Sequence, residues 1–260
     1  MASESGWRVF LGPLLLVVVS FLIYLLRYPL WFSLKFVEPI FVMLILSYFA
    51  VLMLALFLLK KDSKKPLSTV FKRSGHSLVL VGIVFALFYL GLWYLISFAI
   101  GGRFGFTSFP SLSGYENYAV YSLPLAFGLQ LAFTVLGAFA EEVAYRGYVQ
   151  TRISSKHGYA VAIFVATLLF SLQHIHIFQL SWIDKFLQTQ FLHVMLFGFF
   201  TGYLFLRSKE NIWSVFSFHG LINIFAVSVP IVVATPFPFA NQLVDIPVFV
   251  IMILLLHYLL

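Results

Sequence analysis

Eight apolar runs follow one another along this chain, close to residues 9–33, 37–59, 77–101, 119–143, 159–177, 189–206, 212–233 and 243–260. About 20 mostly apolar residues suffice for an α-helix to cross a bilayer. In lipid only helices and closed barrels satisfy every backbone polar group, and barrel strands alternate in short segments that this chain lacks. The runs therefore predict an all-α, polytopic transmembrane helical bundle of about eight helices. Composition agrees: 62% of the residues are hydrophobic and 10% are charged, too little polar material to coat a soluble domain of this length. No internal repeat or compositional break divides the chain, so residues 1–260 read as one membrane domain. The run from Val9 to Leu26 lacks a small-residue cleavage pattern and reads as a retained first helix.

Charge placement orients the bundle. Lys60, Lys61, Lys64, Lys65, Lys72 and Arg73 collect between the second and third runs, Arg152 and Lys156 after the fourth, and Arg207 and Lys209 after the sixth. The other side carries Arg27, Lys35, Arg103 and Lys185. Positive residues favour the cytoplasmic side, which predicts cytoplasmic termini and an external loop over 101–118. The net charge of +7 is then a topology signal that meets anionic lipid headgroups, with no nucleic-acid partner implied. The chain has no cysteine, which removes disulfides, thiolate metal sites and a cysteine nucleophile.

Against this background, ionisable residues within the runs are expensive, about 2.5–3.5 kcal/mol each at mid-membrane on insertion scales, and mark functional sites. Glu141, Glu142, Arg146, His174, His219 and Asn223 stand out. Glu142 and Arg146 are spaced i,i+4 and share a helix face, where a clamp between them is the bland reading. Glu141 is turned about 100° from Glu142 and is left free to face a cavity. His219 and Asn223 form a second i,i+4 pair. Counting from the basic side places Glu141, His219 and Asn223 at broadly similar depth, the last two roughly 12–18 Å down, and His174 deeper, near roughly 24 Å. A turn centred near 156–157 sets Glu141 opposite a residue near 172, within one turn of His174.

The bland alternatives for the other polar residues are stronger. His176 follows His174 by two positions and diverges from it on a helix. His76, His157 and His257 lie near interfaces, and His193 has no assigned role. Asp184, Glu116 and Asp245 are expected to be solvated in or near loops. Trp31, Trp182 and Trp213 read as interfacial anchors. One carboxylate, two imidazoles and an amide on three helices are the components of a hydrolytic centre. A proton relay in a transporter would use the same groups, but the paired broken helices of such folds are not evident.

Three motifs now carry a resemblance. Glu-Glu-x-x-x-Arg is met by Glu141, Glu142 and Arg146, Phe-x-x-x-His by Phe170 and His174, and His-x-x-x-Asn by His219 and Asn223. In this order, on separate apolar segments, they resemble the CPBP family of intramembrane proteases, which includes the type II CAAX prenyl endopeptidase and the bacterial "abortive infection" proteins. The resemblance covers about residues 120–230. Tyr145 and Ser171 stand where many bacterial relatives have Phe and Gly.

That resemblance implies an endopeptidase with a cytoplasm-facing cavity between the fourth, fifth and seventh helices. It would cut near the C-terminus of a membrane-anchored, prenylated CAAX-type substrate. Glu141 would activate water with His174 orienting it, His219 and Asn223 would hold the oxyanion, and Glu142, Arg146, Phe170 and Tyr145 would support the site. No cofactor is required by this chemistry. Zinc held by Glu141, His174 and His219 is the mechanistic alternative, and a bacteriocin-immunity or scaffold role is the non-enzymatic one. The expected location is the plasma membrane of a prokaryote, or the endoplasmic reticulum in a eukaryote.

Overall fold

The computed structural model describes residues 6–62, 70–71, 76–106, 118–175, 183, 186–188, 190–229, 231–234 and 240–260. Lys64, Lys65, Lys72, Arg73, Glu116, His176, Trp182, Asp184 and Lys185 lie outside them, as do the side chains of Arg27, Trp31 and His76.

Among the described residues the apolar runs form eight α-helices: α1 (Leu11–Ser33), α2 (Val37–Asp62), α3 (His76–Ala99), α4 (Leu123–Glu142), α5 (Thr151–Gln173), α6 (Phe191–Arg207), α7 (Ile212–Ser228) and α8 (Ala240–Leu259). The all-α polytopic bundle read from the sequence is what forms. Five helical stretches are long and apolar enough to cross a membrane, among them Val37–Lys61, Ser77–Ala99 and the continuous Leu123–Gln173. The large apolar side chains of Leu46, Phe57, Leu87, Leu95 and Phe98 are exposed, which water would oppose and lipid favours. The protein is an integral membrane protein.

Neighbouring helices run α1–α2–α4–α7–α3–α8–α6–α5. Between α4 and α5 the chain does not stop. Val143–Gln150 forms π-helical turns, every residue of them buried, that touch α1, α2, α5, α6 and α7 and act as the central post. Carbonyls loosened by the wider turn are taken up locally: the Thr151 hydroxyl donates to Gly147 O and Tyr148 O. The helix then breaks at Gly158, whose φ of 78° lies in the left-handed region that glycine adopts without strain. The arm beyond it runs back antiparallel.

This later corner corrects the register expected from a turn at 156–157. Tyr145 packs against the Phe170 ring and donates to Gln173. One helical turn outward on each arm stand Glu141 and His174, so they share a level. The depth mismatch expected for His174 came from ending the first arm near Arg152, whereas the helix runs on to the break at Gly158.

Two further expectations fail. Helix α7 ends at Ser228, and Ile231–Ala234 is a strand (β2) paired antiparallel with Arg103–Phe106 (β1), Arg103 opposite Ala234. The ribbon ties the ends of α3 and α7 together where α3 and α7 already pack. Their crossing is close: a Cβ on Gly82 would lie 2.1 Å from the Ser214 carbonyl, and Ser217 Oγ donates to Val79 O across the gap at 3.0 Å. Asp245 is buried in α8, accepting from Trp93 Nε1 at 3.2 Å and pairing with His193 Nδ1 at 3.1 Å. The sequence reading placed it in solvent because it stood near the start of the last run. Its two partners come from α3 and α6, out of reach of any local pattern.

Glu38 has a similar hidden task. It is buried, and its Oε1 accepts the backbone N–H of Ser122 at 2.9 Å, capping the start of α4. The first turn of a helix leaves N–H groups that need such an acceptor. Ala119 bonds Lys35 O and Val37 N, so the α1–α2 corner and the entry to α4 are one joint.

Candidate active site

The centre of the bundle is a chain of polar contacts crossing four helices. It starts on α2, where the Tyr48 hydroxyl donates to Glu141 Oε1 at 3.3 Å. Glu141 Oε2 faces His219 Nε2 of α7 at 3.8 Å, an ion-pair distance rather than a hydrogen bond. The other ring nitrogen, Nδ1, bonds Glu142 Oε1 at 2.8 Å. Glu142 Oε2 lies 3.3 Å from Arg146 Nε. Arg146 in turn donates to Gly198 O and to the Thr201 hydroxyl of α6, and its guanidinium sits 4.6 Å from the Phe170 ring centre.

Every charged member is withdrawn from the surface: Glu141 is 7% exposed, Glu142 0%, Arg146 1% and His219 4%. Such charges persist only when paired and hydrogen-bonded. Glu142 has a hydrogen bond to His219 on one oxygen and the Arg146 charge beside the other, which is why it can be wholly enclosed. Adjacent Glu141 points the other way, into a cavity of about 170 Å³. That cavity is walled by α2, α4 and α7 through Tyr48, Phe133, Thr134, Gly137, Ala138, Asn223, Ala226 and Val227. Its wall is mostly apolar, with a few convergent polar groups, the usual make-up of a ligand site.

The split between the glutamates that the i,i+4 rule anticipated is therefore present. Asn223 opens on the same cavity as Glu141. His219 is placed differently from the expectation of a simple oxyanion pair, since it is wedged between both carboxylates. His174 closes the arm of α5. Its Nδ1 lies 2.8 Å from Phe170 O, and because a carbonyl can only accept, the proton sits on Nδ1 and Nε2 is the open nitrogen. The Phe170 ring lies 4.6 Å from His174 and 6.4 Å from His219, edge-on to both imidazoles. Tyr145, fully buried, holds the same ring edge-on.

Three elements escaped the motifs. Tyr48 belongs to α2, far from them in sequence. Thr134 and Gly137 precede Glu141 by seven and four positions, a helical spacing that could have marked them as neighbours on its face. Gly198 and Thr201 of α6 receive Arg146 with no charged residue to advertise the contact.

Among the described residues, no three His, Asp or Glu side chains converge as a metal-holding group. His219 Nε2 and Glu141 Oε2 face each other, while Nδ1 is held by Glu142, and His174 packs on the Phe170 ring.

Residues 123–225 match a family model described as type II CAAX prenyl endopeptidase Rce1-like. The matched stretch holds Glu141, Glu142, Arg146, Phe170, His174, His219 and Asn223, and bears out the resemblance to the CPBP family. A comparison with curated proteins gives no match.

Proposed function

We propose, from the match of residues 123–225 to the type II CAAX prenyl endopeptidase Rce1-like model, that this membrane protein is a protease cutting near the C-terminus of a prenylated, membrane-anchored substrate by glutamate-activated water. The observation that carries the reading is the opposed pair: Glu142 locked between His219 and Arg146, Glu141 facing the cavity that Asn223 also lines.

The chemistry follows from the groups present. Glu141 takes a proton from water as the water oxygen bonds to the scissile carbonyl carbon. The carbonyl oxygen becomes an oxyanion, met by the Asn223 amide N–H, which donates in any protonation state. His219 can join it only when Nε2 carries a proton in addition to Nδ1. Collapse of the tetrahedral centre breaks the C–N bond, and Glu141 returns its proton to the leaving amine. His174, level with Glu141, orients the water through Nε2. A positioned base typically contributes a rate factor of about 10²–10⁴ and preorganised oxyanion donors about 10²–10³.

An amphiphilic substrate suits the site. A lipid-attached tail reaches a cavity inside a bundle without leaving the bilayer, and the basic end bearing Lys61, Lys156 and Lys209 would face the cytoplasm. The test is cleavage of a prenylated CAAX-type peptide by purified protein and by Glu141→Gln. Wild-type cleavage, abolished by the substitution with folding intact, is expected. A Glu141→Gln protein that still cuts would overturn the glutamate mechanism, whereas a wild type that cuts nothing, with a cellular phenotype that Glu141→Gln leaves unchanged, would favour the scaffold reading.

A further inference from the structure

Tyr48 stands outside the matched segment, on α2, yet its hydroxyl is 3.3 Å from Glu141 Oε1 and its ring lines the same cavity. Two features hold it there. Gly137 lies one turn before Glu141 on α4, and a Cβ at that position would come within 3.0 Å of the Tyr48 ring. The ring thus rests on bare backbone directly beside the carboxylate. From the other side Tyr24 of α1 meets it edge-on, ring centres 5.9 Å apart.

We propose that Tyr48 is a positioning residue for Glu141, and that Gly137 exists at its position to admit the Tyr48 ring. This rests on the protease reading above. The carboxylate has two oxygens with separate neighbours. Oε1 accepts from Tyr48, and Oε2 faces His219. A phenol bond on Oε1 fixes the rotation of the carboxylate and leaves Oε2 turned toward the imidazole and the cavity, where a water must be deprotonated. A freely rotating carboxylate would present the right oxygen for only part of the time. The cost of losing orientation falls on turnover, because the substrate is held elsewhere.

The experiment is a double-mutant cycle read on the cleavage of a farnesylated CAAX-type peptide, with thermal unfolding in detergent alongside. Tyr48→Phe keeps the ring and removes the donor. It is expected to lower kcat by about tenfold to a hundredfold, the range for a hydrogen bond to a charged group, with KM changed by less than about twofold. Gly137→Ala displaces the ring and should lower kcat similarly. The double variant should lose no more than the larger single loss, because both act through the same hydroxyl. Tyr48→Phe with wild-type kcat, or losses that multiply, would overturn the proposal. A wild-type protein that cuts no prenylated peptide would instead sink the protease reading, and the proposal with it. That result is distinct from an active wild type indifferent to Tyr48.

Discussion

Glu141 and Glu142 are covalent neighbours in opposite surroundings, and they should fail in opposite ways. Glu142 has a histidine on one oxygen and an arginine beside the other, both deep in the bundle. Glu142→Gln takes from Arg146 its nearest countercharge. Breaking a buried pair from one side costs about 3–5 kcal/mol, so the variant should unfold at markedly lower temperature in detergent. Glu141→Gln removes no comparable partner. It should keep the wild-type unfolding temperature while losing at least about a hundredfold in kcat/KM. A Glu142→Gln protein as stable as wild type would show that the clamp is ornamental. The i,i+4 spacing of Glu142 and Arg146 was readable in the sequence because it is a property of one helix. The wedging of His219 between both carboxylates was not, because it depends on where α7 lies against α4.

At the scale of elements, what could be read was length and periodicity, and what could not was the interruption of helices. The π-helical turns at Val143–Gln150 look like ordinary helix in sequence, since nothing in VAYRGYVQ encodes the wider hydrogen-bonded turn. They show only when Arg146 and Gln150 are seen reaching α6 at Gly198 O and Gly202 O. Likewise, Ile231–Val233 has the apolarity of a helix end and the β-branching of a strand. The partner Arg103–Phe106 decides between them. The α3–α7 contact gives a test at this scale. Gly82→Ala must force the helices apart, because its Cβ would overlap the Ser214 carbonyl and the Ser217 hydroxyl. Overpacking of this kind costs about 1–3 kcal/mol, and a lowered unfolding temperature measures it. The α3–α6–α8 contact gives another. Asp245→Ala removes the buried acceptor shared by Trp93 Nε1 and His193, and a hydrogen bond to a charged group contributes about 1.5–3 kcal/mol. Unfolding of that variant at the wild-type temperature would mean that the three helices are held by packing alone.

For the whole molecule, the described helices alternate in direction between two ends of the bundle. Tracing the eight helices puts Lys61, Lys156 and Lys209 at one end and Arg103 and Tyr121 at the other, all of them exposed. The ribbon supports this independently, because β1 follows α3 and β2 follows α7, and their pairing requires those two helix ends to lie together. Open strand edges are not tolerated in hydrocarbon, so the ribbon marks an interface with water. The absence of cysteine makes the orientation directly measurable, since any single introduced cysteine is the sole thiol of the chain. In intact cells a membrane-impermeant maleimide should label Arg103→Cys and Tyr121→Cys. It should label Lys61→Cys, Lys156→Cys and Lys209→Cys only after permeabilisation, as the excess of positive charge at their end requires. The reverse pattern would place the basic end outside. Mixed labelling within either group would contradict the helix trace itself, and with it the alignment of α4 and α7 that brings Glu141 to His219.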